Sequence, residues 1–241
     1  MKYYLDHAAA TPLDHDALAA MKPYGDRLFH NPSSVSVEAQ TIRAAILDAR
    51  KSIARVLRCR PYEVIFTSGG TEGNNLAILG VARAMSKPGH IITSAIEHAS
   101  VLEPIRALTK QGWTVTELPV DSGGRGELEQ FRRALTKQTR LVSVMLANNE
   151  VGTIQSVAEL AKLAKEYHSR ILIHTDACQA TGALAINVQR LGVDLLTLNG
   201  SKCYGPKGSG VLFVRSGVRI EPILYGGGQE KRLRAGTENV P

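Results

Sequence analysis

Two apolar runs in the second half of the chain end in groups that could do covalent chemistry. Ile171-Leu172-Ile173-His174-Thr175 closes on Asp176, with Gln179 close behind, and the run from Asp194 to Asn199 leads through Gly200 and Ser201 to Lys202. In an open parallel sheet, ligands bind beyond the carboxyl ends of the strands, so both side chains can face one crevice. An amine desolvated at the mouth of such a sheet becomes nucleophilic toward an aldehyde. A third run ends in Thr67-Ser68-Gly69-Gly70-Thr71-Glu72-Gly73-Asn74, a glycine turn leading into a helical pattern from Asn75 to Met85. A helix N-terminus offers free N–H groups and a positive dipole end to an anion; glycines allow close approach, and Thr71 adds a hydroxyl. The spacing matches neither GxGxxG nor GxxxxGK[ST], which speaks against dinucleotide and P-loop sites.

A lysine, an acid and a phosphate cradle are the three requirements of pyridoxal 5′-phosphate (PLP) chemistry. Lys202 would form the aldimine, Asp176 would keep the pyridine nitrogen protonated, and Gly70 with Thr71 would receive the phosphate. Taken singly, each has a plainer role: Asp176 as a helix cap, Lys202 as an exposed turn lysine, and the glycines as a connection. Their combination in one order along the chain favours the cofactor. Two further run ends add His98, whose flat imidazole can stack on a pyridine ring and exchange protons, and Asn149, whose amide can bond the ring's phenolic oxygen. Lys207 is a rival for the aldimine, but Gly205-Pro206-Lys207-Gly208 reads as a surface turn.

Something must hold these groups, and the hydrophobic patterning says what. Helical spacing covers Asp14 to Leu28 and Ser33 to Leu57, with Ser33 or Ser34 as the expected cap of the second helix. Strand-like runs follow at Glu63 to Thr67, His90 to Ser94, Trp113 to Leu118, Leu141 to Leu146, Ile171 to Thr175, Val193 to Leu198 and Gly210 to Val214. Consecutive apolar residues such as Leu195-Leu196 suit a sheet covered on both faces and therefore mainly parallel. The expected fold is α/β, a three-layer α/β/α sandwich. After Val214 the pattern lapses into a glycine-rich loop, Tyr225 to Thr237, with no element expected after it.

Composition narrows the function classes. The 241 residues are 44% hydrophobic and 21% charged, enough for one large core. A net charge of +7 is spread along the chain, and aromatics are only 5%, so direct nucleic-acid binding is not expected. Three separate cysteines, Cys59, Cys178 and Cys203, form neither a disulfide framework nor a zinc motif; no metal site is expected, and a reducing, cytoplasmic setting is. The opening MKYYLDHAAATP has no apolar core of a signal peptide, and no run approaches a membrane span.

A set of segments carries a family resemblance. Tyr4-Leu5-Asp6-His7, Asn31-Pro32-Ser33-Ser34, Phe66 to Glu72, Glu97-His98, Asn148 to Gly152, Asp176 to Gln179, Gly200-Ser201-Lys202 and Tyr204 to Gly208 together resemble the cysteine desulfurases of the class V aminotransferase group, fold-type I PLP enzymes. The resemblance implies that His98 stacks on the cofactor, that Asn149 and Gln179 bond its phenolic oxygen, and that Asn199 and Ser201 lie near the phosphate. It also implies a homodimer in which Thr237 reaches the partner's phosphate. The implied reaction converts L-cysteine to L-alanine and passes the sulfur, as a persulfide, to acceptors such as an iron–sulfur scaffold or to tRNA thiolation. Many relatives have His where this chain has Ser201 and Ser36. Relatives also continue further, supplying the persulfide cysteine and most of a small domain. Residues 1–15 are therefore expected to belong to that small domain at the active-site entrance, and residues 16–241 to a large domain incomplete at its C-terminus, with activity carried by the complete gene product. The alternatives are another class V member, such as a selenocysteine lyase or an aminotransferase, or a non-catalytic scaffold.

Overall fold

The computed structural model describes residues 3–241. Helices α1 (His15–Asp26) and α2 (Val37–Leu57) precede β1 (Val64–Thr67) and α3 (Gly70–Ala84). Then come β2 (His90–Ser94), α4 (Ala99–Thr109), β3 (Thr114–Leu118), α5 (Leu128–Ala134) and β4 (Thr139–Ser143). The remainder is α6 (Val157–Tyr167), β5 (Leu172–Asp176), the short α7 (Val188–Leu191), β6 (Leu195–Asn199) and β7 (Gly210–Val214). The strands form one sheet in the order β1-β7-β6-β5-β4-β2-β3. From β6 to β3 every pairing is parallel, whereas β7 runs antiparallel to both β6 and β1.

The doubled apolar residues explain the layers. Side chains alternate across a strand, so neighbours in sequence enter opposite cores. Ile91, Leu141, Leu195 and Leu212 pack with Leu76 and Val81 of α3 and Ile105 of α4 on one face. Their successors Ile92, Val142, Leu196 and Phe213 pack with Leu57 of α2, Phe131 of α5 and Leu160 of α6 on the other. Each fully buried Leu, Ile or Phe is worth about 1.5–3 kcal/mol, so the two cores bind both helical layers to the sheet.

Some local boundaries differ from expectation. The third helix begins at Gly70, not Asn75, because the glycines form its first turn. Gly69 is held at φ 150°, ψ −176°, a conformation essentially restricted to glycine. Ser36 caps α2 by accepting the Ala39 N–H, while Asn31 binds the Ser33 N–H and keeps Ser33 and Ser34 in the preceding turn. The fourth strand runs from Thr139 to Ser143 rather than to Leu146, although Val144 and Leu146 still donate to the carbonyls of His174 and Asp176. The C-terminal loop contains a 3₁₀ turn, Gln229–Arg232, tied to α2 by an ion pair between Glu230 and Arg50. Among the described residues, no helix is long and apolar enough to cross a membrane.

Candidate active site

The carboxyl ends of β5 and β6 and the N-terminus of α3 open on one cavity of about 430 Å³. Gly70, Thr71, His98, Asn149, Asp176, Gln179, Asn199 and Lys202 all line it. Parallel pairing sets Asp176 opposite Thr197, so β6 runs past the aspartate to Asn199, which caps the following turn by accepting the Ser201 N–H and thereby presents Lys202. Lys202 Nζ donates to the carbonyls of Ala8 (2.6 Å) and Ala9 (2.7 Å). Gln179 Nε2 also donates to the Ala8 carbonyl, at 2.8 Å. That strap is itself pinned to the lysine turn, because Thr11 donates through N and Oγ1 to the Ser201 carbonyl and accepts the Tyr204 N–H.

Asp176 is 7% exposed, and both its oxygens accept: Oδ1 takes the Cys178 N–H at 2.9 Å and Oδ2 takes Asn74 Nδ2 at 2.7 Å. His98 is the N-cap of α4, its Nδ1 accepting the Ser100 N–H at 3.0 Å. Asn149 Nδ2 donates to Glu150. Two candidates lie off the cavity lining: the Ser201 hydroxyl turns to Asn199 Oδ1, and Thr237 is exposed on the C-terminal loop. Lys207 is exposed in its turn and likewise does not line the cavity.

The anion end is shaped by packing. A Cβ on Gly70 would come within 2.7 Å of Cys178 Sγ, and one on Gly73 within 2.7 Å of Thr197 Cγ2, so glycine is what lets the first turn of α3 approach β5 and β6. The Glu72 carboxylate would repel an anion at this helix start. It accepts the Ser68 N–H and pairs with Arg234 at 2.9 Å. Burial pushes Glu72 upward, but Arg234 and the Ser68 donors outweigh it and hold the carboxyl below its usual range.

Sequence reasoning gave no role to Asn74, Ser100 or Cys178, and it set residues 1–15 at the entrance without their contacts to Lys202. Asn74 lies one helical turn beyond Gly70, a spacing that places both on one face of α3. Ser100 carries the N–H that a capping His98 requires, although no motif marks it. Cys178 lies directly behind Asp176; burial, with Asp176 beside it, holds its thiol well above the ordinary range, so it remains protonated. Among the described residues, no cluster of His, Cys, Asp or Glu is placed to hold a metal ion.

The class V aminotransferase family model matches residues 3–241. The chain belongs to the class V aminotransferase family. It is 51% identical over 238 residues to cysteine desulfurase IscS of Dictyoglomus turgidum, covering 98% of this chain and 60% of that protein. The structure of a NifS-like protein superposes with a TM-score of 0.97 at 38% identity, covering 100% of this chain and 66% of the other. SspA in complex with cysteine gives 0.95 at 40% identity, covering 99% and 69%. The class V chain thus spans about 60% of the length of the curated relatives it matches. This family is PLP-dependent. The donor set suits that group: an amine, a buried carboxylate bearing two N–H donors, an imidazole, and a glycine cradle that a Cβ would fill.

Proposed function

We propose that this chain forms the PLP-binding part of a cysteine desulfurase, converting L-cysteine to L-alanine. The carrying observation is the convergence of Lys202, Asp176 and the N-terminus of α3 on one cavity. When bound, the cofactor supplies an aldehyde for covalent attachment and a pyridinium ring that draws electrons from the substrate. In this reading Lys202 is the attachment amine and leaves the Ala8 and Ala9 carbonyls to serve it. Gly70, Thr71, Asn199 and Ser201 hold the phosphate. Asp176 meets the ring nitrogen, Asn149 and Gln179 the phenolic oxygen, and His98 stacks on the ring and moves protons. The sulfur of L-cysteine passes to a cysteine thiol, leaving that thiol as a persulfide and the substrate as alanine, so atoms balance without an external oxidant.

The same reading assigns a homodimer, with exposed Thr237 serving the partner's phosphate, and a sulfur acceptor such as an iron–sulfur scaffold. Residues 1–15 go with a small domain at the entrance, which the strap over Lys202 supports; Met1 and Lys2 lie outside the described residues. The test has two stages. Purified chain loaded with PLP and freed of unbound cofactor should absorb at the violet edge of the visible, and Lys202→Ala should abolish that band. The whole protein should then form alanine and, with a thiol reductant, sulfide from L-cysteine. A colourless wild type, or a band that survives Lys202→Ala, would overturn the reading.

A further inference from the structure

Asn74 is fully buried in α3 and uses both protons of its amide. Nδ2 donates at 2.7 Å to Asp176 Oδ2 and at 2.9 Å to Ser100 Oγ. Its own Oδ1 is buried with no hydrogen-bond partner. The reverse orientation would aim that oxygen at the carboxylate, so Asp176 fixes which way the amide faces. Ser100 Oγ lies 2.7 Å from His98 Nδ1. Since Ser100 Oγ already accepts from Asn74, its proton is free to go to Nδ1, which also receives the Ser100 backbone N–H.

We propose that Asn74 and Ser100 are positioning residues forming a hydrogen-bond relay of fixed direction, which joins Asp176 to His98 and sets the imidazole tautomer. Two donors in the relay are fixed by their chemistry. An amide NH₂ cannot accept, and the Ser100 backbone N–H can only donate, so Nδ1 must offer its lone pair and the hydroxyl proton is the one left to meet it. Nδ1 therefore carries no proton in the neutral ring, and the N–H of this exposed, cavity-lining residue is on Nε2. The same amide that braces the carboxylate thus orients the hydroxyl that reinforces the choice of nitrogen at His98. The significance for catalysis rests on the function proposed above; the tautomer does not.

The test is long-range ¹H–¹⁵N correlation on the labelled chain without cofactor. A pH of about 8.5 lies above the ordinary imidazole range. The His98 signals are assigned by their loss in His98→Asn. Wild type should show pyrrole-like Nε2 and pyridine-like Nδ1. Ser100→Ala removes one of two donors to Nδ1 and should raise the Nδ1–H fraction about fivefold, the weight of one hydrogen bond. Ser100→Thr should restore the wild-type pattern. Asn74→Leu should shift the ratio in the same direction as Ser100→Ala; Ser100→Ala alone decides the matter if the leucine variant does not fold. A dominant Nδ1–H form in wild type, or a ratio unmoved by Ser100→Ala, would overturn the relay. PLP titration of the same samples, followed by visible absorbance, tests the cofactor reading separately, so one can fail without the other.

Discussion

Glu97 precedes His98 and is buried behind the site. Its Oε1 accepts Ser94 Oγ at 2.5 Å and the Met145 N–H at 2.8 Å, while Oε2 is buried without a partner. That asymmetry suits a protonated carboxyl. Burial pushes Glu97 up to about 8, and the Asp176 charge adds to the rise. Between the ordinary 4.5 and about 8 the folded chain holds a proton that the unfolded chain has released, so stability falls as pH rises through this window and levels off above it. Glu97→Gln imitates the protonated form and should abolish that slope. In denaturant titrations the two proteins should match near pH 4.5, with the variant ahead by about 1 kcal/mol or more near pH 8; parallel profiles would show that the carboxyl is ionised. Single residues at strand ends were the most legible features of the sequence. Asp176 and Lys202 declare themselves by following apolar runs, but the contacts of Glu97 with Met145 and of Ser100 with Asn74 span 48 and 26 positions and cannot be paired from sequence.

Among the elements, α3 governs the anion end. Its glycines are steric requirements at two specific contacts, not signs of looseness. Gly70→Ala must displace the buried Cys178 thiol, an overpacking that costs about 1–3 kcal/mol. Its thermal midpoint should drop, and its affinity for PLP should fall further than that of a variant with an equal loss of stability elsewhere. An unchanged PLP titration would separate this turn from phosphate binding. The sequence pattern starts this helix late because glycine is a poor helix former, whereas contact with β5 and β6 overrides propensity at Gly70 and Gly73. The sheet was easier to anticipate. Doubled apolar residues reveal that both faces are covered, although nothing in β7 itself announces that it runs antiparallel.

Across the whole molecule, one buried ion pair ties the C-terminal loop to the rest. Arg50 of α2 meets Glu230 at 2.5 and 2.8 Å, and Glu230 also accepts the Phe66 N–H of β1. Glu230, Lys231 and Arg232 are held at φ 44°, 60° and 66°, a strained run for residues with side chains. Glu230→Ala would strand the Arg50 charge and cost about 3–5 kcal/mol. Trypsin should then cut at Lys231, Arg232 or Arg234 well before wild type is cleaved there, as read by mass spectrometry; equal rates would show that other contacts hold the loop. Partners 180 positions apart could not be paired from sequence. The β1–β7 pairing spans a similar distance, with Val64 opposite Phe213. During synthesis, at about 5–20 residues per second, β1 waits on the order of ten seconds for the strand that will cover its edge. The ribosome therefore delivers the lysine turn before it delivers the neighbour of the strand that launches the glycine cradle. A nascent chain paused just short of Gly210 would hold both chemical groups with their scaffold still open along one side.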